Sequence, residues 1–206
     1  MAHKNYYVLN PAPINNTHDK LNDCLQKLAI KTNTAPADNI LDFDNVIVNN
    51  ERQNAGKTYK MNETLAKCFQ QLKNNNIRIE HFRIDSAAYQ QLVVEETEKN
   101  CTCFYIRIDD FQNLKDAIKD IPESEWKQVI INNKKVEIAD TPFIPFNGKK
   151  AYRAVVQRRK RKDEQFDIFT QSPYAYYAVM TNNETPAATN QYVTEFYNAR
   201  GDSDPP

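Results

Sequence analysis

The feature that most constrains the fold is a regular alternation of strand-like and helix-like stretches in the first half of the chain. Residues 40–48, 77–84 and 101–108 are predicted as strands. Residues 62–74 and 86–100 between them carry apolar side chains at helical spacing. The order strand, helix, strand, helix, strand predicts a parallel α/β sheet with right-handed crossovers.

The second half changes to short strands followed by one helix. Turn signals such as Asn132-Asn133 and Asn147-Gly148 separate strand-like segments between residues 126 and 182. The last helix is predicted over 186–200, with Thr185 as N-cap. The predicted strands are 128–131, 136–139, 151–157, 166–169 and 174–181. The expected segments are a polar lead-in and helix at 1–38, an α/β core at 39–122, a β-rich insertion at 123–183, and the C-terminal helix at 184–206.

Charge and apolar patterning exclude several classes of protein. The 27 basic side chains balance the 27 acidic ones, which excludes a uniformly basic coat protein for nucleic acid; any such binding must be local. No apolar run approaches the ~18 residues of a membrane helix, and the N-terminus lacks a signal-peptide core. We therefore expect a cytoplasmic protein that does not bind membranes, with its four cysteines as reduced thiols.

Three aspartates follow the first two predicted strands or lie within them. Asp42 and Asp44 share one face of the first strand, where a carboxylate is costly unless it is paired or binds a metal. An edge strand whose acids reach solvent is the alternative. Asp85 ends the second strand, where an aspartate is also an ordinary helix cap.

Side by side in a parallel sheet, these strands would bring carboxylates to the edge where open α/β sheets bind ligands, a setting that suits Mg²⁺. Asp44 lies four residues past Ile40, whereas Asp85 lies eight past Ile77. If the strands began level, the two acids would be ~13 Å apart along the strand direction. Convergence therefore requires a stagger of the two strands.

Two further patterns suit a phosphodiester. Tyr197, Arg200 and Asp204 share a narrow face if the helix is continuous, although Gly201 and Pro205 favour a solvated helix end. A basic stretch around Tyr152 suits phosphate contacts, and a solvated hairpin tip is the alternative. Its cations are Lys149, Lys150, Arg153, Arg158, Arg159, Lys160, Arg161 and Lys162.

Six blocks in this order carry a family resemblance: 41–46 (LDFDNV), 79–89 (IEHFRIDSAAY), 104–107 (FYIR), 151–158 (AYRAVVQR), 180–183 (MTNN) and 195–204 (EFYNARGDSD). Together they resemble bacterial insertion-sequence transposases of the DDE type. The resemblance implies an α/β fold: an RNase H-like mixed sheet with flanking helices and a β-rich insertion before the C-terminal helix.

The resemblance also implies the site and its chemistry. Asp44 matches the first catalytic acid, with Asp42 the weaker match, and Asp85 matches the second. Tyr197, Arg200 and Asp204 match the family signature Tyr-x-x-Arg-x-x-x-Glu. In the family, three acids hold two Mg²⁺ ions (Mn²⁺ can substitute), which activate water or a 3′-hydroxyl for attack on DNA. The implied partners are transposon-end and target DNA in the nucleoid, bound by a homo-oligomer on paired ends, with the basic stretch along the DNA backbone.

The sequence departs from the family pattern in ways that imply a shortened copy. Position 204 is Asp instead of Glu, the chain stops two residues later, and residues 51–61 leave little room for the family's additional strands. The N-terminal DNA-binding region is also mostly absent. We therefore expect an impaired transposase; the alternatives are a catalytically inactive DNA-binding remnant and a small metal-dependent nuclease.

Overall fold

The structure is a computed structural model, and it describes residues 39–43, 61–109, 112–160 and 173–200. They form an α/β fold around a mixed seven-stranded open sheet with strand order β1-β2-β3-β7-β6-β5-β4. The strands are β1 Ile40–Phe43, β2 Ile79–Ile84, β3 Cys101–Arg107, β4 Lys127–Ile131, β5 Lys134–Phe143, β6 Tyr152–Lys160 and β7 Tyr174–Thr181. The helices are α1 Met61–Asn74, α2 Gln91–Asn100, α3 Gln112–Lys119 and α4 Asn190–Asn198.

The chain divides into two compact units, Met1–Phe104 and Tyr105–Pro206. The four segments expected from the sequence stay a prediction, because residues 1–38 and several connections lie outside the described residues. The predicted strand at 166–169 lies outside them as well. No helix in the described ranges is both long enough and apolar enough to cross a membrane.

In the first unit, β1 and β2 pair in parallel, as the alternation of strands and helices predicts. Helix α1, expected at 62–74, buries its apolar stripe, and Phe69 packs 5.8 Å from the ring of Phe82. The helix stops because Asn76 adopts a left-handed conformation, with φ of 59°. Its N–H bonds to Lys73 O and the next N–H, of Ile77, bonds to Leu72 O, which together form a Schellman cap.

The helix expected at 86–100 is two elements in the structure. Asp85 accepts a hydrogen bond from the Ala87 N–H at 3.0 Å and begins a short 3₁₀ turn over Ser86–Ala88. The backbone then extends at Gln90, with φ of −137°, and α2 begins at Gln91. The prediction of one continuous helix was therefore wrong, because the Asp85 side chain stabilises a single turn that ends at the buried Tyr89.

In the second unit, the end of β3 pairs with β7, and β4 to β7 form an antiparallel meander. The β4–β5 hairpin turns at Asn132-Asn133, whose φ angles of 49° and 59° are those of a type I′ turn. Buried Ile131, Val136 and Ile138 form a cluster beside this turn. The turn signal in the sequence therefore correctly located this hairpin.

Helix α4 begins later than predicted. Its N-cap is Thr189, whose hydroxyl oxygen accepts from the Tyr192 N–H at 3.1 Å. The predicted cap, Thr185, instead donates from its N–H and its hydroxyl to Asn183 Oδ1, at 3.1 and 2.8 Å. Pro186 consequently lies in a turn, closed by the Ala188 N–H bonding to Thr185 O, and not at the first helical position.

Candidate functional site

The first candidate region is the carboxyl end of the parallel pair β1–β2. Their register sets Ile40 opposite His81 and Phe43 opposite Ile84. His81 lies four residues past Ile77, so the strands carry the four-residue stagger that convergence of their aspartates requires. Asp85 follows directly after Ile84, the last residue of β2.

Asp42 is a buried, paired carboxylate. It is 7% exposed, and the facing Arg83 is 1% exposed. Arg83 donates from Nε to Oδ1 and from Nη2 to Oδ2, at 2.5 Å each. The alternative in which the acids of this strand reach solvent is therefore wrong for Asp42. Both of its oxygens are engaged by a guanidinium, which accounts for a carboxylate on this strand without a metal.

Asp85 is half-exposed and caps the 3₁₀ turn through Oδ1. The helix cap that was the alternative interpretation of Asp85 is therefore present, and the same carboxylate follows directly after the end of β2. Asp44 and Asp204, the other two expected acids, lie outside the described residues. Within the described ranges, no group of three or more His, Cys, Asp or Glu is arranged to hold a metal ion. Asp85 alone of the three expected ligands is described, and its oxygens are of the hard type that Mg²⁺ takes.

The second candidate region is a cavity of about 290 Å³ in the second unit, between α4 and the sheet. The guanidinium carbons of Arg107 and Arg159 lie 5.1 and 5.2 Å from the centre of the Tyr177 ring. Arg159 also donates from Nη2 to the Tyr177 hydroxyl oxygen at 2.9 Å. Helix α4 contributes Tyr197 and Asn198 to the lining.

The lining of this cavity is positively charged. Among the described residues that form it, there are two guanidinium groups and no carboxylate. Hydroxyl and amide groups complete the polar part of the wall. Planar guanidinium groups with phenol and amide donors suit the oxygens of a phosphate. The lining residues are Arg107, Val155, Gln157, Arg159, Tyr177, Ala178, Val179, Thr194, Tyr197 and Asn198.

The structure divides the basic stretch by position. Lys149 and Lys150 are exposed just before β6, and Lys150 Nζ lies 5.1 Å from the centre of the Tyr152 ring. Arg159 and Lys160 are exposed at the other end of β6. About nine residues of strand separate the two pairs, which is ~30 Å. The exposed cations of the stretch therefore form two separate pairs, one at each end of β6. Arg161 and Lys162 lie outside the described residues.

Two of the three arginines of β6 bind other groups of the protein. Arg158, 4% exposed, lies between the rings of Trp126 and Tyr174, with its guanidinium carbon 4.2 and 4.4 Å from their centres. It bonds to Glu137 at 2.9 Å and to both carboxylate oxygens of Glu123. The attraction and hydrogen bonds of these carboxylates raise the pKa of Arg158 further above its usual range.

Arg153 is engaged in the same manner, but on the opposite face of β6. It donates to Asp140 Oδ2 at 3.0 Å, to Ala188 O at 2.6 Å and to Asn190 Oδ1. Charge density alone does not separate these internally bonded arginines from the exposed ones, because both kinds occur within residues 149–162.

Of the C-terminal signature, Tyr197 lines the cavity and Arg200 follows α4, half-exposed. Sequence reasoning did not single out Arg107, Gln157 or Tyr177 as site residues. Arg107 does fall in the FYIR block and ends the third strand, and this was the available signal.

No protein-family model matches the chain, and no curated protein matches it either.

Proposed function

We propose that this chain is the RNase H-like catalytic domain of a DNA transposase, with Asp44, Asp85 and Asp204 as the acids that hold Mg²⁺ or Mn²⁺. The observation that carries the proposal is the β1–β2 register. Phe43, the residue before Asp44, is paired with Ile84, the residue before Asp85. Paired strands lie ~4.8 Å apart, so the two residues that directly precede Asp44 and Asp85 in the chain lie side by side, and this supports a shared metal site.

The order of elements also supports an RNase H-like core with an insertion. A parallel pair with a helix between its strands is followed by an antiparallel meander and then by a closing helix. This is the order of parts that the resemblance implies. The same order is compatible with other α/β folds, and the functional assignment therefore depends on the site residues.

A phosphodiester is the substrate group that the second unit fits best. The cavity between α4 and the sheet presents Arg107 and Arg159 on either side of the Tyr177 position, with Tyr197 nearby. Guanidinium groups in a partly enclosed site bind phosphate oxygens through charge-assisted hydrogen bonds. The exposed Lys149, Lys150 and Lys160 would add sequence-independent contacts to a DNA backbone.

In this proposal different residues would hold the metal and the DNA. Bound Mg²⁺ would supply Lewis-acid stabilisation of the attacking and leaving oxygens. Asp85 would provide oxygen ligands while its Oδ1 also accepts the Ala87 hydrogen bond, which fixes the carboxylate relative to β2. Arg107 and Arg159 would orient the DNA backbone by holding a phosphate, and Tyr197 would donate a hydrogen bond to it.

The test is cleavage and strand transfer on duplex DNA that carries the inverted-repeat ends flanking the gene, with Mg²⁺ or Mn²⁺. Asp44→Asn and Asp85→Asn should each abolish the products, because losing one metal-binding charge removes most catalysis. Glu184→Gln changes an exposed acid that does not line the cavity, is the matched control and should remain active. Products that persist in Asp85→Asn would contradict the metal site.

A second candidate function is a DNA-binding remnant without chemistry. It is favoured by the Arg107–Tyr177–Arg159 arrangement, which needs no metal to bind a phosphate. DNA binding that is unchanged in Asp44→Asn and Asp85→Asn, with no products from the wild type, would select it. Loss of binding in Arg107→Gln and Arg159→Gln is expected under both candidates.

A further inference from the structure

The guanidinium of Arg153 connects strand β6 to the start of helix α4. It donates four hydrogen bonds: from Nε to Asp140 Oδ2, from Nη1 to Asn183 O and Ala188 O, and from Nη2 to Asn190 Oδ1. A guanidinium has five N–H donors, so most of its capacity is used inside the protein. Its side chain is 18% exposed.

Asp140 and Asn190 close the arrangement into a ring of three side chains. Asn190 Nδ2 donates to Asp140 Oδ1 at 2.7 Å, while the other oxygen of Asp140 accepts from Arg153. Asp140 belongs to β5, Arg153 to β6 and Asn190 is the first residue of α4. These three residues, which we call the helix clamp, therefore join two strands of the meander to the helix.

The helix clamp lies at one end of α4, and the cavity lies along the same helix. Ala188 O, which Arg153 binds at 2.6 Å, precedes the Thr189 N-cap by one residue. Thr194, Tyr197 and Asn198 then form one wall of the cavity, opposite the two arginines of the sheet. The clamp therefore attaches the helix that forms this wall to strand β6, which also carries Arg159.

We propose that Arg153 is a positioning residue that holds α4 over the cationic cavity, rather than a residue that contacts DNA. The proposal rests on the proposed function only in that the cavity binds a phosphodiester. Under this proposal Arg153, one of the cations of the basic stretch, binds groups of the protein itself and does not contact DNA. Arg, with its planar fork, can reach acceptors in several directions, whereas the ammonium of Lys is a point charge.

Two charge-based variants separate positioning from phosphate contact. Arg153→Lys keeps the positive charge but cannot bridge the four acceptors, so a phosphate contact would survive and the clamp would not. Asp140→Ala removes a negative charge, which on electrostatics alone would strengthen DNA binding. Through the clamp the same change should weaken it. Glu184→Ala removes an equal charge outside the clamp and is its matched control.

The first readout is hydrogen–deuterium exchange of the α4 amides, which requires no ligand. Arg153→Lys, Arg153→Gln and Asp140→Ala should each raise exchange over residues 190–198 about tenfold or more, with β5 and β7 unchanged. Glu184→Ala should leave it unchanged. Wild-type exchange of α4 in Arg153→Lys would overturn the proposal. If the Arg153 variants do not fold, Asn190→Ala provides the same test from the helix side.

The second readout is the affinity for a fluorescein-labelled duplex oligodeoxynucleotide. Arg153→Lys and Asp140→Ala should both lose about tenfold, and Glu184→Ala should bind as well as the wild type or more tightly. Wild-type affinity in Arg153→Lys, or tighter binding in Asp140→Ala, would contradict the clamp. A wild-type chain that binds no DNA would instead refute the proposed function, and the exchange measurement would still decide the role of Arg153.

Discussion

Arg83 holds Asp42 through two parallel hydrogen bonds of 2.5 Å, one from Nε and one from Nη2. Both side chains are buried and face each other across the β1–β2 pair. Arg83→Met should lower the free energy of unfolding by about 3–5 kcal/mol, because it leaves a buried carboxylate without its partner. Urea denaturation followed by circular dichroism measures this.

The double variant Asp42→Leu with Arg83→Met is the control. It removes both charges together, so it should recover most of the stability lost in Arg83→Met. If the free energy of unfolding of Arg83→Met lay within about 1 kcal/mol of the wild-type value, the ion pair would not be a stabilising element of the fold.

Two substitutions of Asp85 separate its role as a helix cap from its proposed role as a metal ligand. Asp85→Asn keeps an oxygen that can accept from the Ala87 N–H, so thermal stability should change little. Asp85→Ala removes the cap and should cost about 1 kcal/mol. Both variants lose the carboxylate, and neither should show the Mg²⁺-dependent activity. A Mg²⁺-dependent activity in Asp85→Asn but not in Asp85→Ala would assign Asp85 to the cap alone.

Glu123 should contribute a pH-dependent part of the stability. Hydrogen bonds from Arg158 lower the pKa of this carboxyl below its usual value. A carboxyl whose folded pKa lies below its unfolded value of about 4.3 stabilises the protein above that pH. The stabilisation is lost as the pH falls through the folded pKa.

Glu123→Gln should therefore flatten the acid side of a plot of Tm against pH, below about pH 4.5. Glu123 and Glu125 belong to one short 3₁₀ turn, Glu123–Glu125, so Glu125→Gln, which changes an exposed acid, is the matched control and should keep the wild-type slope. Equal slopes for wild type and Glu123→Gln would show that the bond to Arg158 contributes nothing measurable in solution.

Two thiols should react slowly in the folded protein. Burial raises the pKa of Cys68 to about 12, and burial together with Cys103 and Glu98 raises that of Cys101 to about 12. At pH 8 the thiolate fraction should then be about a thousandfold below that of an unfolded cysteine. The neutral thiols stabilise the fold below about pH 8.5, and this contribution is lost as the pH rises towards 12.

Iodoacetamide labelling at pH 8, read by peptide mass spectrometry, measures both sites separately. We expect little label on Cys68 and Cys101 in buffer and rapid labelling of both in 8 M urea, on the order of a thousandfold faster. Labelling of Cys68 at the same rate in both conditions would contradict its burial.

The sequence by itself predicted the elements whose pattern is local. Helix α1 follows from an apolar stripe within 14 residues, and the β4–β5 hairpin follows from two asparagines that tolerate positive φ. The parallel β1–β2 pair follows from the predicted order of a strand, a helix and a second strand. The helix and the hairpin each depend on side chains a few positions apart, whose preferences act before any tertiary contact forms. The parallel pairing depends on the order of such local elements along the chain.

Only the tertiary structure decided the register of β1 on β2, the start of α4, and which cations of the basic stretch reach the surface. Asp42 selects Arg83 41 residues away, and Arg153 selects Asn190 37 residues away. These partners are set by packing across the sheet, and the local preferences of the residues do not predict which side chains will meet there. Arg153 and Arg159 share one face of β6 and the same side-chain chemistry, yet one binds the start of a helix and the other lines a cavity. The described partners differ: the Asp140 carboxylate and two backbone carbonyls accept from Arg153, whereas the Tyr177 hydroxyl oxygen accepts from Arg159.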